Sequence, residues 1–200
     1  MSIFLKGMSL SASLIMAIGA QNAHVLKMGL QRQHIWLTVA VCVVCEVLLI
    51  SSGVLGIAKL MATFPAMLVW AKWGGVLFLC YYGLMAMRAA WQQQSMQISG
   101  DQAILPWPAA LVAVLGVTLL NPHVYLDTVI LLGSIALQQG ESGKWWFALG
   151  AMVNALIWYS LLAFAANWLR PLFARPRAWQ VLDGLIALMM LGLAINLALS

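Results

Sequence analysis

Charge is what this chain has least of. Only fifteen of its 200 residues are Lys, Arg, Asp or Glu, 8% of the total, against about 25% in soluble globular proteins. So few polar groups cannot clothe the surface of a soluble domain of this length. The same scarcity excludes a disordered chain, a collagen and a nucleic-acid-binding domain, so the formal charge of +5 is no nucleic-acid footprint. Three cysteines are too few for a disulfide scaffold. No polar stretch is long enough for a soluble domain, and nothing in the pattern asks for a cofactor. The solvent of this chain is lipid.

What is abundant is apolar surface, at 64% of residues. A helix needs about 20 mostly apolar residues to cross the hydrocarbon core. Six stretches meet that need: Ile3–Leu26, Ile35–Ile57, Ala66–Met87, Ala109–Ala136, Trp145–Trp168 and Leu182–Leu199. Trp36, Trp91, Trp107, Trp145, Trp146, Trp168 and Trp179 fall at or just beyond their ends, where indole prefers the headgroup level. The fold class expected is an all-α integral membrane protein, multi-pass, in one transmembrane domain over residues 1–200. Its halves are about 1–90 and 106–200, joined by a polar linker at about 91–105. Lys6 ahead of an apolar run and Ala17-Ile18-Gly19 imitate a signal peptide, but cleavage there would discard a polar motif, so the segment is read as a retained span.

Orientation follows from the short loops. Lys27, Arg32, Arg88, Arg170, Arg175 and Arg177 fall on one side, and Lys6, Lys59 and Lys144 on the other. The richer side is expected in the cytoplasm, with both termini outside.

Compared with itself, the sequence shows a repeat. Gln21-Asn22-Ala23-His24-Val25 in the first span and Leu120-Asn121-Pro122-His123-Val124-Tyr125 in the fourth share Asn-x-His-Val. Three spans per half is an odd number, so the second half enters the membrane inverted. About six helices in two inverted three-helix repeats is a plan common among secondary transporters. Spans 1 and 4 should also be broken. Gly19, Gln21, Asn22 and His24 interrupt the first, and Pro122 removes an amide donor from the fourth. Irregular backbone survives in lipid only against protein or a wet cavity. Counted at about 1.5 Å per residue, Asn22 is expected toward the cytoplasmic face and Asn121 toward the outer one, as rims on opposite sides of a central site. The N-P-x-x-Y string formed by Asn121, Pro122 and Tyr125 is shared with seven-helix receptors, but 200 residues cannot make that fold.

Charges at the centre of a span cost roughly 2.5–3.5 kcal/mol on insertion scales, which makes three residues conspicuous. Glu46 falls mid-way along the second span and Lys72 about one and a half turns into the third. Their depths differ by only about 7 Å, so a Glu46–Lys72 pair is geometrically open, as a structural ion pair or as a switch. Asp127 follows the second break with no basic partner in its own span, which suits substrate or proton binding. Asp183 and Arg88 fit interface roles. His24 and His123 read as hydrogen-bonding residues, because the Cys or carboxylate cluster of a metal site is missing. Cys42 and Cys45 form a C-x-x-C within a span, where helical geometry seldom suits a disulfide. Packing is the simpler role. A membrane thiol–disulfide oxidoreductase is the alternative from another class.

Longer strings carry a resemblance. Gly19-Ala20-Gln21-Asn22-Ala23-His24-Val25-Leu26, followed by Gly29 and Arg32, resembles the first signature of the LysE-type basic amino-acid exporters. Leu120-Asn121-Pro122-His123-Val124-Tyr125-Leu126-Asp127-Thr128 resembles their second. Glu46 stands where that family carries an acid, and Trp146-Phe147-Ala148-Leu149-Gly150 is similar to its arginine-exporting branch. His24 departs from the usual aromatic, and the long linker does not match. The resemblance implies a transporter rather than an enzyme. It would export L-arginine or L-lysine from the bacterial cytoplasm across the inner membrane, driven by membrane potential or proton exchange. Exporters of neutral amino acids or metal cations are the nearest alternatives, and a homo-oligomer is compatible with the sequence. Glu46 and Asp127 would be counter-ions for the substrate's cations, and Asn22, Asn121 and amides freed at the breaks would receive its carboxylate. Gln21, Lys72, His123 and Tyr125 complete the candidate substrate-binding set, with Gly19 and Pro122 as helix breakers.

Overall fold

The computed structural model describes residues 2–16, 19–56, 65–91, 105–121, 124–169, 171 and 176–199, without the side chains of 65–71, 176 and 179. Pro122, His123, Lys59, Arg170, Arg175 and linker positions 92–104 lie outside the described residues. Among those described, every regular element is helical. In chain order they are α1 (Ile3–Ile15), α2 (Ala20–Gln31), α3 (Ile35–Val54), α4 (Pro65–Trp91), α5 (Trp107–Leu119), α6 (Tyr125–Leu137), α7 (Gly140–Leu169) and α8 (Pro176–Leu199).

By length and composition α3, α7 and the Gln180–Leu199 stretch of α8 can cross a bilayer, and the bent pair α1–α2 makes a fourth crossing if counted together. The surface is inverted relative to a soluble protein. Leu77, Val112 and Leu188 are more than two-thirds exposed, while Ser11, Thr38 and Thr118 are wholly buried. Polar atoms go inward and apolar ones outward because the surrounding solvent is lipid. Trp36, Trp91, Trp107 and Trp168 are exposed at helix ends, as an interfacial aromatic belt requires.

The first span is two helices, not one. α1 stops at Ile15 and α2 starts at Ala20, bent by 79°. Thirteen residues give α1 only about 20 Å, short of the ~30 Å core. α2 runs on to Gln31, five residues past the boundary expected from hydropathy, and most of it is buried. It ends on Arg32 and His34, both in the left-handed region. His34 Nε2 lies 2.6 Å from the Leu105 carbonyl, and the Leu105 amide donates to Gln33 Oε1 at 3.2 Å. That corner fixes where α5 begins.

Close backbone approaches set the packing. A side chain on Gly7 would strike the Phe147 carbonyl, and one on Gly150 the Phe4 carbonyl, so α1 lies directly on α7. Asn154 Nδ2 donates to Ser11 Oγ at 3.1 Å in the same interface. A Cβ on Gly53 would sit 2.7 Å from the Val129 carbonyl, and one on Gly133 2.7 Å from the Gly53 Cα. α3 and α6 therefore cross almost backbone to backbone, the use of small residues expected where lipid supplies no hydrophobic drive between helices.

The neighbours of α3 correct one expectation. It packs on α7, α6, α5 and α2, whereas α4 lies along α8. The consecutive helices α3 and α4 are not packed partners. α2 reaches the α4–α8 pair through two polar contacts: His24 Nδ1 to Tyr82 Oη at 2.9 Å, and the ion pair of Lys27 with Asp183 at 2.6 Å. Asp183 thus belongs to an ion pair that docks α2 on α8.

Candidate functional site

Where a helix stops inside the bundle, its last carbonyls lose their intrahelical partners. At the first break that need falls on α1, and Asn22 answers it. Its Nδ2 donates to the Ile15 carbonyl at 2.6 Å, while its Oδ1 accepts from Trp158 Nε1 of α7 at 3.2 Å. The side chain is held from both ends, which fixes α2 with its N-terminus toward the interior. Gly19 is the N-cap, in extended backbone, and brings no side chain to cap the first turn.

At the second break α5 ends at Leu119 and α6 begins at Tyr125, its residues through Leu132 wound as a π-helix. Tyr125 Oη donates to the Leu119 carbonyl at 2.8 Å, and the Val124 amide to the Asn121 carbonyl at 3.2 Å. Wider π-helical winding turns Asp127 and Thr128 toward the space beside Asn121. π-Helical turns are rare and frequent at functional sites.

The two breaks open on one cavity of about 240 Å³. Gly19, Gln21 and Asn22 line it from the first break, and Asn121, Asp127 and Thr128 from the second. Glu46 of α3 and Tyr159 of α7 also line it, and Leu14, Leu132 and Leu193 add apolar surface. Sites for drug-sized ligands run to about 300–1,000 Å³, so this one suits a solute the size of an amino acid.

Glu46 is 3% exposed. Tyr159 Oη donates to its Oε1 at 3.3 Å, and Thr128 Oγ1 lies at 3.5 Å from Oε2, near the limit of a hydrogen bond. Both contacts are long, which leaves the carboxylate's lone pairs available to a stronger donor. Two acids line the cavity, and among the described lining residues no Lys, Arg or His does.

Gln21, Asn22, Asn121, Glu46, Asp127 and Gly19 from the candidate set are thus brought together. Four others are placed elsewhere or not described. Lys72 sits with its Nζ 6.0 Å from the Trp73 ring centroid and forms no ion pair with Glu46, because α4 packs on α8 rather than on α3. Tyr125 braces the second break rather than lining the cavity. His123 and Pro122 lie outside the described residues. The depth reading also changes. Asn22 and Asn121 line the same cavity rather than opposite rims, because counting rise per residue presumes a straight helix and both spans are broken.

Sequence reasoning missed Tyr159, Thr128 and Trp158. A signal existed for the last: with Trp70 and Trp73 it is one of three tryptophans away from a span end, and it lies four residues from Asn154 and so on the same helix face. Cys42 is wholly buried against Val25, Val39, Val114 and Tyr159, and Cys45 is nearly so, which is the environment of packing thiols. Among the described residues no group of three or more His, Cys, Asp and Glu is placed to hold a metal ion.

A cavity lined by two acids and built at two helix breaks, inside a helical bundle with an apolar surface, defines the class: a membrane solute transporter. The chain belongs to the LysE type translocator family, whose profile matches residues 12–200. It is 46% identical over 194 residues to a protein of Aeromonas salmonicida provisionally named amino-acid transporter YggA, covering 97% of this chain and 94% of that one. A provisionally named amino-acid transporter of Mycobacterium bovis is 42% identical over 187 residues, covering 92% and 90%. The arginine exporter protein ArgO of Serratia proteamaculans is 36% identical over 198 residues, covering 99% and 97%. No solved structure matches. The protein is an amino-acid transporter, multi-pass in the bacterial inner membrane.

Proposed function

We propose that this transporter exports basic L-amino acids, L-arginine foremost and L-lysine second, from the cytoplasm by alternating access. The observation that carries the reading is the pair of acids, Glu46 and Asp127, in one amino-acid-sized cavity between the two breaks. A basic amino acid brings two cations and one carboxylate. Two acids in the cavity match the two cations of a basic amino acid, whereas a neutral amino acid brings one cation to two acids. The resemblance to an arginine exporter over nearly the whole chain points the same way.

Alternating access asks for two halves that move about a shared site, and the packing supports an inverted repeat of six crossings. α4 lies along α8 and α3 along α7, so the third span meets the sixth and the second meets the fifth. The broken spans face each other across the cavity as the first members of each half. Export then carries net positive charge outward, coupled to the membrane potential or to proton exchange, with the Lys- and Arg-rich loops in the cytoplasm.

Efflux from preloaded cells lacking and overproducing the protein, with labelled arginine and lysine compared directly, tests this. Export should rise with the protein and collapse by at least about tenfold in Glu46→Gln and Asp127→Asn, since each removes a counter-charge worth more than about 1.4 kcal/mol. Normal export by both correctly inserted variants, or export of neutral amino acids at equal rates, would overturn the reading.

A further inference from the structure

The cavity's acids account for the cations of a basic amino acid and leave its carboxylate without a receptor. Asn22 looks suited by type, but its amide is engaged at both ends, by the Ile15 carbonyl and the Trp158 indole. Gln21 is different. It is 6% exposed, lines the cavity, and its Nε2 has no hydrogen-bond partner among the described residues. The Cys42 thiol lies beside it, but thiol sulfur is a weak acceptor. A buried carboxamide donor left unmated costs roughly 1–3 kcal/mol, so its position calls for an acceptor that arrives with the ligand.

The same residue sits in the first turn of α2, a twelve-residue helix whose Gly19 N-cap brings no side-chain acceptor. Gly19 and Gln21 face the cavity together. The N-terminal turn of a helix carries the positive end of the macrodipole and N–H groups aimed outward, which favours a carboxylate. Discontinuous membrane helices place that end at anionic substrate groups.

We infer that the uncapped N-terminus of α2, together with the Gln21 carboxamide, is the receptor for the substrate's α-carboxylate, with Asn22 as a positioning residue that holds α2 at the correct angle. This deepens the proposed function and rests on it for the identity of the side chain, but not for the carboxylate. Net charge is then matched group for group: acids at Glu46 and Asp127 for the two cations, and the helix end with Gln21 for the anion. Asn22 acts through the backbone. Losing its bonds to Ile15 and Trp158 would swing the first turn of α2 away without removing any group that touches substrate.

Agmatine tests the inference, because it keeps both cations of arginine and lacks the carboxylate. Binding of labelled arginine to the purified, detergent-solubilised transporter is measured, with unlabelled arginine and agmatine as competitors. Wild type should prefer arginine. In Gln21→Leu arginine should weaken by about tenfold, the scale of one hydrogen bond to a charged group, while agmatine changes by less than about twofold. In Gln21→Glu the added carboxylate should repel arginine's and hold agmatine more tightly than wild type does. That gain cannot come from misfolding. Equal weakening of both ligands in Gln21→Leu, or arginine binding untouched by either change, would overturn the carboxylate assignment. Failure of the parent reading looks different: a neutral amino acid would bind in place of arginine, and its preference over the matching amine would still depend on Gln21.

Discussion

At the first break the carbonyl of Ile15, last residue of α1, is taken by Asn22, seven positions on. At the second, the carbonyl of Leu119, last residue of α5, is taken by Tyr125, six positions on. Each half of the chain thus uses a side chain just past the break to satisfy a carbonyl just before it. The surroundings differ. Asn22 is buried and tied onward to Trp158, whereas the Tyr125 hydroxyl bonds at the exposed edge of the bundle. The second break is secured in another way, by the crossing of Gly53 and Gly133 that presses α6 onto α3. One break depends on hydrogen bonds and the other on backbone packing. That difference suits a helix end that must be aimed at a ligand on one side, and a π-helical segment that must be held against a neighbour on the other.

Substitutions can separate the two modes. The largest effect is expected from Gly53→Val, whose added carbons would meet the backbone of Val129 and Gly133. Overpacking of that kind costs about 1–3 kcal/mol or more, so the yield of folded protein and its melting temperature in detergent should both fall. Next comes Asn22→Leu, which leaves the Ile15 carbonyl and the Trp158 indole without their partner at a cost of about 1–3 kcal/mol. The half-saturating arginine concentration for export should rise by about tenfold, with the protein still inserted. The smallest is Tyr125→Phe. Its hydroxyl works at an exposed edge where other donors can substitute, so export should change by less than about twofold, well under 1.4 kcal/mol. A Tyr125→Phe defect as deep as that of Asn22→Leu would erase the distinction between the breaks.

Much of this was legible in the sequence, for identifiable reasons. Gly19, Gln21 and Asn22 inside an apolar run, and Asn121-Pro122 inside another, mark breaks because lipid does not tolerate idle polar groups or a missing amide. Glu46 and Asp127 stood out as charges in the wrong solvent, and both line the cavity. The Glu46–Lys72 pair failed because order along the chain does not dictate neighbours in a bundle. α3 meets α6 and α1 meets α7 through glycines whose partners lie far off in sequence, and no local pattern announces such contacts. The role of Asn22 was also hidden. A carboxamide near a break suits a ligand and a carbonyl equally well, and only the 2.6 Å contact with Ile15 decides between them.

We propose that both breaks and Glu46 build one substrate site. Saturable binding of labelled L-arginine to the purified transporter, compared among wild type, Gln21→Leu, Asn121→Leu and Glu46→Gln, tests it most directly. One site per chain is expected, with affinity lowered by about tenfold or more in all three variants, the scale of losing a hydrogen bond to a charged ligand. Full affinity in Asn121→Leu or in Glu46→Gln, with the other variants impaired, would contradict a shared site.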